Sequence, residues 1–185
     1  TYFQTPIERD NDVKRADELK SLIMPFILRR TKAQVTQELP EKTELVKEFE
    51  FEAKQKEIYT GITQSLEQKL VDLFAQQGVQ KSKLAFLDAL LKLRQICCHP
   101  KLIDPTTQAG SAKLEWLSKH LPVMLSEGRK VIIFSQFTTA LDVIAERLGE
   151  LGITFSMLTG QTRHRSRVIE EFTEGESSVF LISLK

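Results

Sequence analysis

Arginines crowd the start of a predicted helix that follows an apolar strand and a tight turn. The turn has the sequence LTGQT (158–162), and RHRSR (163–167) follows it directly. A helix N-terminus carries partial positive charge, so each cation there costs a few tenths to about 1 kcal/mol. A bound phosphate would offset that cost, because the first backbone N–H groups and the side chains of Arg163 and Arg165 could share it. The alternative is that these arginines form an ordinary solvated face.

A second polar loop occupies the equivalent position after an earlier predicted strand. It begins with Ser135 and Gln136, whose short polar side chains could contact a nucleic-acid backbone. The simpler interpretation is a helix cap at Thr138 beside a glutamine that satisfies backbone groups, and taken alone it is the stronger one. In the first loop, Gly160 is predicted to turn the chain and Thr162 to cap the helix. Ligands of open α/β sheets bind at the carboxyl ends of strands, where both loops lie.

The sequence holds no recognisable centre for catalysis. None of its eight glycines lies in a G-x-x-x-x-G-K-[ST] phosphate-binding loop. Cys97 and Cys98 are adjacent, which is a poor spacing for zinc, and His120 and His164 are distant in sequence. No serine, cysteine or paired-carboxylate arrangement stands out as a substitute. We therefore predict no catalytic residue and no metal site in this chain.

Three apolar strands alternate with two amphipathic helices in the last third of the chain. The predicted order is strand 131–134, helix 138–151, strand 153–158, helix 163–172 and strand 179–182. Short connections between such elements indicate a parallel sheet with right-handed crossovers. The continuously apolar first strand is typical of a sheet that helices cover on both faces. The predicted fold class is therefore α/β, with a parallel sheet flanked by helices.

The first part of the chain is predicted to hold a helix and an edge strand. The helix covers 17–30, and Pro25 should kink or end it. The run TELVKEFEF (43–51) alternates imperfectly between apolar and charged residues, which favours an edge strand with one wet face. A loop over 104–110 then precedes a helix that Ser111 caps.

Between these segments lie two helices with apolar stripes, 52–77 and 81–98. Gly78 is predicted to end the first of them, and the short connection implies an antiparallel helical hairpin. Three divisions of the chain follow: 1–42 as a linker and helical segment, 43–110 as an edge strand with a helical protrusion, and 111–185 as the sheet domain.

The composition is that of an ordinary globular protein. The chain has 185 residues, of which 41% are hydrophobic and 28% charged. The absence of a long uncharged apolar run predicts no membrane-spanning helix, and the first twenty residues contain no signal-peptide core. With a formal net charge of +1, the chain could meet a nucleic acid only through a local basic patch. Two adjacent cysteines are typical of a reducing compartment.

Five blocks of the sequence resemble consecutive blocks of Swi/Snf-type ATPases, which are superfamily-two, helicase-like DNA translocases that include chromatin remodellers. The blocks are PFILRRTKAQVTQELPEKTE (25–44), LRQICCHPKLID (93–104), KVIIFSQF (130–137), LTGQT (158–162) with the arginine that follows at 167, and FLISLK (180–185). The last block is similar to the bacterial form, which suggests a bacterial member. Many members have Asp-Gly where this chain has Thr159-Gly160, so any role of that acid is lost or altered here.

The resemblance implies a parent enzyme with two RecA-like lobes, ATP with Mg²⁺ in the cleft between them, and double-stranded DNA across both. This chain would be the second lobe with its helical protrusion, cut within the last strand block, while the first lobe would hold most of the ATP site. We therefore expect a DNA-dependent ATPase in the full-length protein and no turnover by this chain alone. The expected partners are double-stranded DNA, the first lobe and a protein bound at the protrusion, with no membrane. The expected location is the cytoplasm of a bacterium or the nucleus of a eukaryote.

Matching the family blocks also gives candidate site residues. Those expected to line the DNA-tracking side are Ser135, Gln136, Thr159, Gly160, Thr162 and Ser183. Arg163 and Arg165 join them from the helix-terminus argument, and Arg167 is expected to brace the loop. A rival hypothesis is a non-enzymatic interaction module that docks proteins on the hairpin. A stand-alone receiver-like α/β protein is a third reading, and it leaves residues 25–42 unexplained.

Overall fold

The computed structural model describes residues 2–30 and 42–183, and within 76–81 it describes the backbone only. The chain divides into two compact units, Thr1–Val46 and Lys47–Lys185. Most of the 25–44 sequence block and the last two residues lie outside the described residues, so those parts of the resemblance have no structural counterpart here.

The first unit contains two helices, α1 (Gln4–Arg9) and α2 (Val13–Ile23), followed by a short 3-10 turn, Met24–Phe26. The Asp12 carboxylate accepts a hydrogen bond from the Arg15 backbone N–H at 3.1 Å and so caps the start of α2. Helix α2 ends just before the turn that contains Pro25, as predicted, because proline has no backbone N–H to continue the ladder.

The second unit contains a three-stranded parallel sheet of β1 (Val131–Ser135), β2 (Phe155–Leu158) and β3 (Val179–Ser183). The strand order is β1-β3-β2, so the last of these three strands in sequence is the middle one in space. Helices flank the sheet: α4 (Ala112–Ser126), α5 (Thr138–Glu150) and α6 (Arg165–Thr173). The α/β class and the parallel sheet are thereby confirmed.

The core lies between one face of the sheet and helices α4 and α5. Its fully buried members are Leu121, Leu141, Leu148, Val179 and Leu181. On the opposite face, α6 packs against β2, and Phe172 stacks on Phe180 with ring centroids 4.9 Å apart. The β1 half of that face is uncovered among the described residues, since Ile132 and Phe134 are 46% and 57% exposed. Within the described residues, helices therefore cover one face of β1 and both faces of the sheet only at β2 and β3.

Residues 53–98 are helical throughout and form α3 (Ala53–Cys98), but they cannot be one straight rod. The Gln55 side-chain amide donates a hydrogen bond to the Ile96 carbonyl at 2.9 Å. A straight helix would separate residues 41 positions apart by about 62 Å. Phe74 also lines a surface cavity together with Phe86 and Leu87, so the chain reverses between 74 and 83. The predicted antiparallel hairpin is present, with arms 53–74 and 83–98.

The edge strand predicted over 43–51 is wrong, because residues 42–52 form no strand in the described part of the chain. Within the second unit, this extended segment is anchored by alternate aromatic side chains instead. Phe49 meets Trp116 edge-on at 5.8 Å, and Phe51 lies 5.0 Å from Tyr59. Such packing produces the same alternation as a strand, but a strand also needs a neighbour to bond its main chain.

Gln55 joins three helix ends at the base of the hairpin. While its amide N–H donates to Ile96, its carbonyl oxygen accepts from the Ala112 backbone N–H at 3.2 Å, where α4 begins. Ser111, fully buried, donates from its hydroxyl to the Cys98 carbonyl at 2.7 Å instead of capping α4 as predicted. These bonds satisfy main-chain groups that helix termini leave without intrahelical partners.

Candidate functional site

The register of the sheet brings the predicted loops to one edge. Ser135 is paired with Ser183 across β1 and β3, and Leu158 is paired with Ile182 across β2 and β3. All three strands are parallel, so their carboxyl ends lie side by side with the end of β3 in the middle. Neighbouring strands are about 4.8 Å apart, which puts the β1 and β2 ends about 10 Å apart. We call this region the carboxyl edge.

The loop after β2 is closed by its own threonines. The backbone N–H of Thr159 donates to the Thr162 hydroxyl at 2.9 Å, and the Thr162 N–H donates back to the Thr159 carbonyl at 3.1 Å. The hydroxyl of Thr159 accepts a further bond from the Gln161 N–H at 3.3 Å. Both threonines therefore shape the loop, and Gly160 at its tip is exposed.

Helix α6 begins two residues later than predicted, at Arg165, and its N-cap is His164, which makes no side-chain capping bond. The prediction that Thr162 caps this helix is wrong, because the loop uses its hydroxyl. The first turn contains no acidic residue. Its uncompensated N–H groups and positive charge are the conditions under which a helix start binds anions.

Arg163, Arg165 and Arg167 are all exposed around this helix start. With His164, Ser166 and Glu170 they line an open concavity of about 600 Å³. Within residues 2–30 and 42–183, none of the three arginines takes part in an ion pair. Arg167 likewise makes no hydrogen bond to the loop in the described part of the chain, where the threonines do the bracing expected of it.

The loop after β1 is held in two ways. The Ser135 hydroxyl bonds both backbone groups of Phe137, accepting from its N–H and donating to its carbonyl, each at 3.0 Å. The Gln136 side-chain oxygen accepts from Nη2 of Arg94 at 2.5 Å. Arg94 lies near the end of α3, and no spacing in the sequence marked it. The only sequence signal for a functional role of Arg94 is its place in the family-like block LRQICCHPKLID (93–104).

The predicted residues therefore fall into two groups. Ser135, Thr159 and Thr162 shape the loops, and Ser183 is buried in the central strand with only 9% of its surface exposed. Gly160, Arg163 and Arg165 are accessible, and Gln136 is half-buried. The accessible side chains and helix N–H groups are mainly hydrogen-bond donors, which suit an acceptor-rich anion such as phosphate.

The remaining reactive side chains lie elsewhere. Burial raises the pKa of the Cys98 thiol, so it is not an activated nucleophile. Burial, and then the charge of Lys101, lowers the pKa of His99, whose Nδ1 accepts from the Lys101 backbone N–H at 3.1 Å. In the described ranges, no three His, Cys, Asp or Glu residues cluster as metal ligands would. None of the helices described there is long and apolar enough to cross a membrane.

Comparison with known proteins matches two family models to most of the chain. Residues 1–102 match the SNF2-related domain, and residues 112–185 match the helicase conserved C-terminal domain. Among curated proteins, the zebrafish (Danio rerio) chromodomain-helicase-DNA-binding protein 1-like is 34% identical over 91% of this chain. A human SWI/SNF-related, matrix-associated, actin-dependent regulator of chromatin (subfamily A member 1) is 33% identical over 94% of it.

A solved structure from the same family resembles this chain in three dimensions. The Sulfolobus solfataricus SWI2/SNF2 ATPase core in complex with double-stranded DNA matches 98% of this chain with a TM-score of 0.68 and 30% identity. The matched region is a minor part of each relative. It covers 17% of either curated protein and 40% of the archaeal chain.

Proposed function

The chain belongs to the SNF2-related family of helicase-like ATPases, and on that premise we propose that it is the second motor lobe of a Swi/Snf-type, double-stranded-DNA translocase. Its carboxyl edge would track the phosphate backbone with little regard to base sequence. The observation that best supports this role is the juxtaposition of three strand ends with exposed arginines that have no acidic partner among the described residues.

The donors at the carboxyl edge suit phosphate better than bases. Arginine side chains and helix N–H groups contact phosphate oxygens in most protein–DNA interfaces, and such contacts fix position without reading sequence. The archaeal relative was solved with double-stranded DNA, which agrees with this assignment. The contact would be strongly salt-dependent, because each neutralised phosphate releases counterions.

In the full-length protein, ATP and Mg²⁺ would be held mainly by the first lobe. The sequence of this chain has no phosphate-binding loop, and its described residues offer no carboxylate cluster for Mg²⁺. The role left to this chain's own residues is to bind and orient DNA and to complete the cleft. We therefore expect no ATP hydrolysis by this chain alone, and DNA-stimulated hydrolysis by the purified chain would contradict the proposal.

The direct test is DNA binding as a function of salt. The wild-type chain should bind a short duplex at low salt, and the logarithm of its binding constant should fall linearly with the logarithm of salt concentration. Replacing both Arg163 and Arg165 by Met should reduce that slope by about 1.8, since each lost phosphate contact removes about 0.9. Arg129→Met is the matched control, because Arg129 is an exposed cation just before β1, at the opposite edge of the sheet.

Two results would overturn the assignment. One is a wild-type chain that does not bind duplex DNA even at low salt. The other is a double variant whose slope equals that of Arg129→Met, because phosphate contacts would then lie elsewhere.

A second candidate function is a protein-docking module, and the second arm of α3 favours it. This arm exposes large apolar side chains, with Leu84 79% and Leu87 59% exposed. Reading the coding sequence on both sides separates the two candidates. A G-x-x-x-x-G-K-[ST] loop upstream would support the motor, and a gene without one would support the module.

A further inference from the structure

A hydrogen bond links the hairpin to the carboxyl edge. Arg94, in the last turns of α3, donates from Nη2 to the side-chain oxygen of Gln136 at 2.5 Å, although the two residues are 42 positions apart in sequence. Neither is buried, and Arg94 has no acidic partner among the described residues. The Arg94 guanidinium therefore donates a hydrogen bond to a neutral amide rather than to a carboxylate.

Because the partner is an arginine, the hydrogen bond fixes the orientation of the Gln136 side-chain amide. An arginine side chain can only donate, whereas a glutamine amide has an accepting oxygen and a donating NH₂ group. The guanidinium must therefore face the oxygen, and the NH₂ group is directed away from it. Without Arg94, the amide could rotate by half a turn and present its oxygen to whatever approaches the edge.

We propose that Arg94 is a positioning residue for DNA, which holds the Gln136 amide with its N–H groups ready to donate to a backbone phosphate. This inference rests on the proposed function, because it supposes that the carboxyl edge meets DNA. Phosphate oxygens only accept hydrogen bonds, so a fixed NH₂ group is complementary to them and a fixed carbonyl would repel them. The hairpin would thus help to arrange the DNA-binding surface of the protein, although the hairpin itself need not contact DNA.

The alternative role for the bond is a purely structural tie between α3 and the β1 loop. The two roles differ in what they do to binding. A structural tie changes the unfolding transition and leaves the affinity of the folded protein unchanged. A positioning bond changes affinity and couples Arg94 to Gln136, because each residue acts only through the other.

The experiment is a double-mutant cycle on duplex binding at low salt, with Arg94→Met, Gln136→Met and the double variant. We expect each single variant to bind about five- to tenfold more weakly, as for the loss of one hydrogen bond of ordinary net strength. The double variant should be no more than about twofold weaker than the worse single variant, because coupled residues are not additive. Arg94→Lys, which keeps a donor for the amide oxygen, should restore most of the binding.

The salt slope gives a readout that separates positioning from direct contact. Gln136 is neutral and releases no counterion, so Arg94→Met should weaken binding without lowering the slope, whereas Arg163→Met should lower it by about 0.9. Lys92→Met serves as the charge control, since Lys92 is on the same arm and pairs with Asp88 at 2.8 Å. It should change affinity less than about twofold, because the ion pair with Asp88 already offsets the charge of Lys92. Urea unfolding of each variant checks that it is folded.

Three results would refute the positioning role. These are unchanged binding by Arg94→Met, independent effects that multiply in the double variant, and a slope reduced as much as in Arg163→Met. If the wild-type chain itself fails to bind duplex DNA, the proposed function fails. If the wild-type chain binds duplex DNA and Arg94→Met binds equally well, only the positioning role of Arg94 is refuted and the proposed function stands.

Discussion

Replacing Gln55 should destabilise the second unit more than replacing an exposed polar residue would. Its side chain is only 1% exposed and makes two hydrogen bonds, a buried one to the Ile96 carbonyl at 2.9 Å and a half-buried one from the Ala112 N–H at 3.2 Å. Gln55→Met keeps the length and most of the volume of the side chain but removes both bonds. The Ile96 carbonyl would then be buried without a partner, at about 1–3 kcal/mol, and the half-buried Ala112 N–H would lose its bond, at about 0.5–1.5 kcal/mol.

The expected loss is therefore about 1.5–4.5 kcal/mol of the free energy of unfolding. Urea unfolding followed by the fluorescence of Trp116, the one tryptophan in the chain, would measure it. Gln68→Met is the matched control on the same helix, because Gln68 is exposed and, among the described residues, its side chain bonds only to Asp72, at 3.2 Å. Its effect should lie within about 0.5 kcal/mol, as for most surface substitutions.

A loss below about 1 kcal/mol for Gln55→Met, or a loss equal to that of Gln68→Met, would refute the reasoning. It would mean that Ile96 and Ala112 find other partners, and that the base of the hairpin is not held by this amide. If the slope of the unfolding free energy against urea concentration changed and the midpoint did not, the variant would instead have an altered unfolded state.

Two further sets of variants test the local structure. The pKa of His99 is lowered below its ordinary value of 6.5, chiefly by burial. The unfolded chain therefore binds a proton that the folded chain does not, and stability should be lost as the pH falls below about 6.5. His99→Asn, which can still accept from the Lys101 N–H, should flatten urea midpoints measured between pH 7.5 and 5, and an unchanged pH dependence would contradict this. Gly61→Ala in α3, where an added methyl meets nothing within 4 Å, should raise the unfolding free energy by about 0.5–1 kcal/mol. Gly128→Ala has equal space but a φ of +77°, so it should cost about 1 kcal/mol, and equal thermal midpoints for the two variants would be inconsistent with the backbone argument.

Periodicity in the sequence was enough to predict the sheet and the hairpin. The strands around Ile133 and Leu181 are apolar up to a final serine, and the arms of α3 carry apolar stripes. The positions of buried residues can therefore be recognised in the sequence. The extended segment through Phe49 was misread because alternation records which side chains are buried. It does not record whether a second strand is present to bond the main chain.

The features that could not be predicted are those made by residues far apart in sequence. Gln55 reaches Ile96 and Ala112, and Arg94 reaches Gln136, across 41 to 57 positions. A single glutamine or arginine carries no pattern, so only the folded chain shows its partner. The error at Thr162 has a different cause. Its partner Thr159 is only three positions away, but a threonine hydroxyl suits a helix cap and a loop closure equally well.

The position of β3 between β1 and β2 has a consequence for synthesis of the protein. A ribosome makes the two outer strands first, and neither has a strand neighbour in the described chain until the middle one emerges. For that interval the nascent polypeptide exposes aliphatic segments with unsatisfied main-chain groups, a state that invites aggregation. Pairing of these three strands therefore waits for β3, and we expect molecular chaperones to shield this region while translation continues.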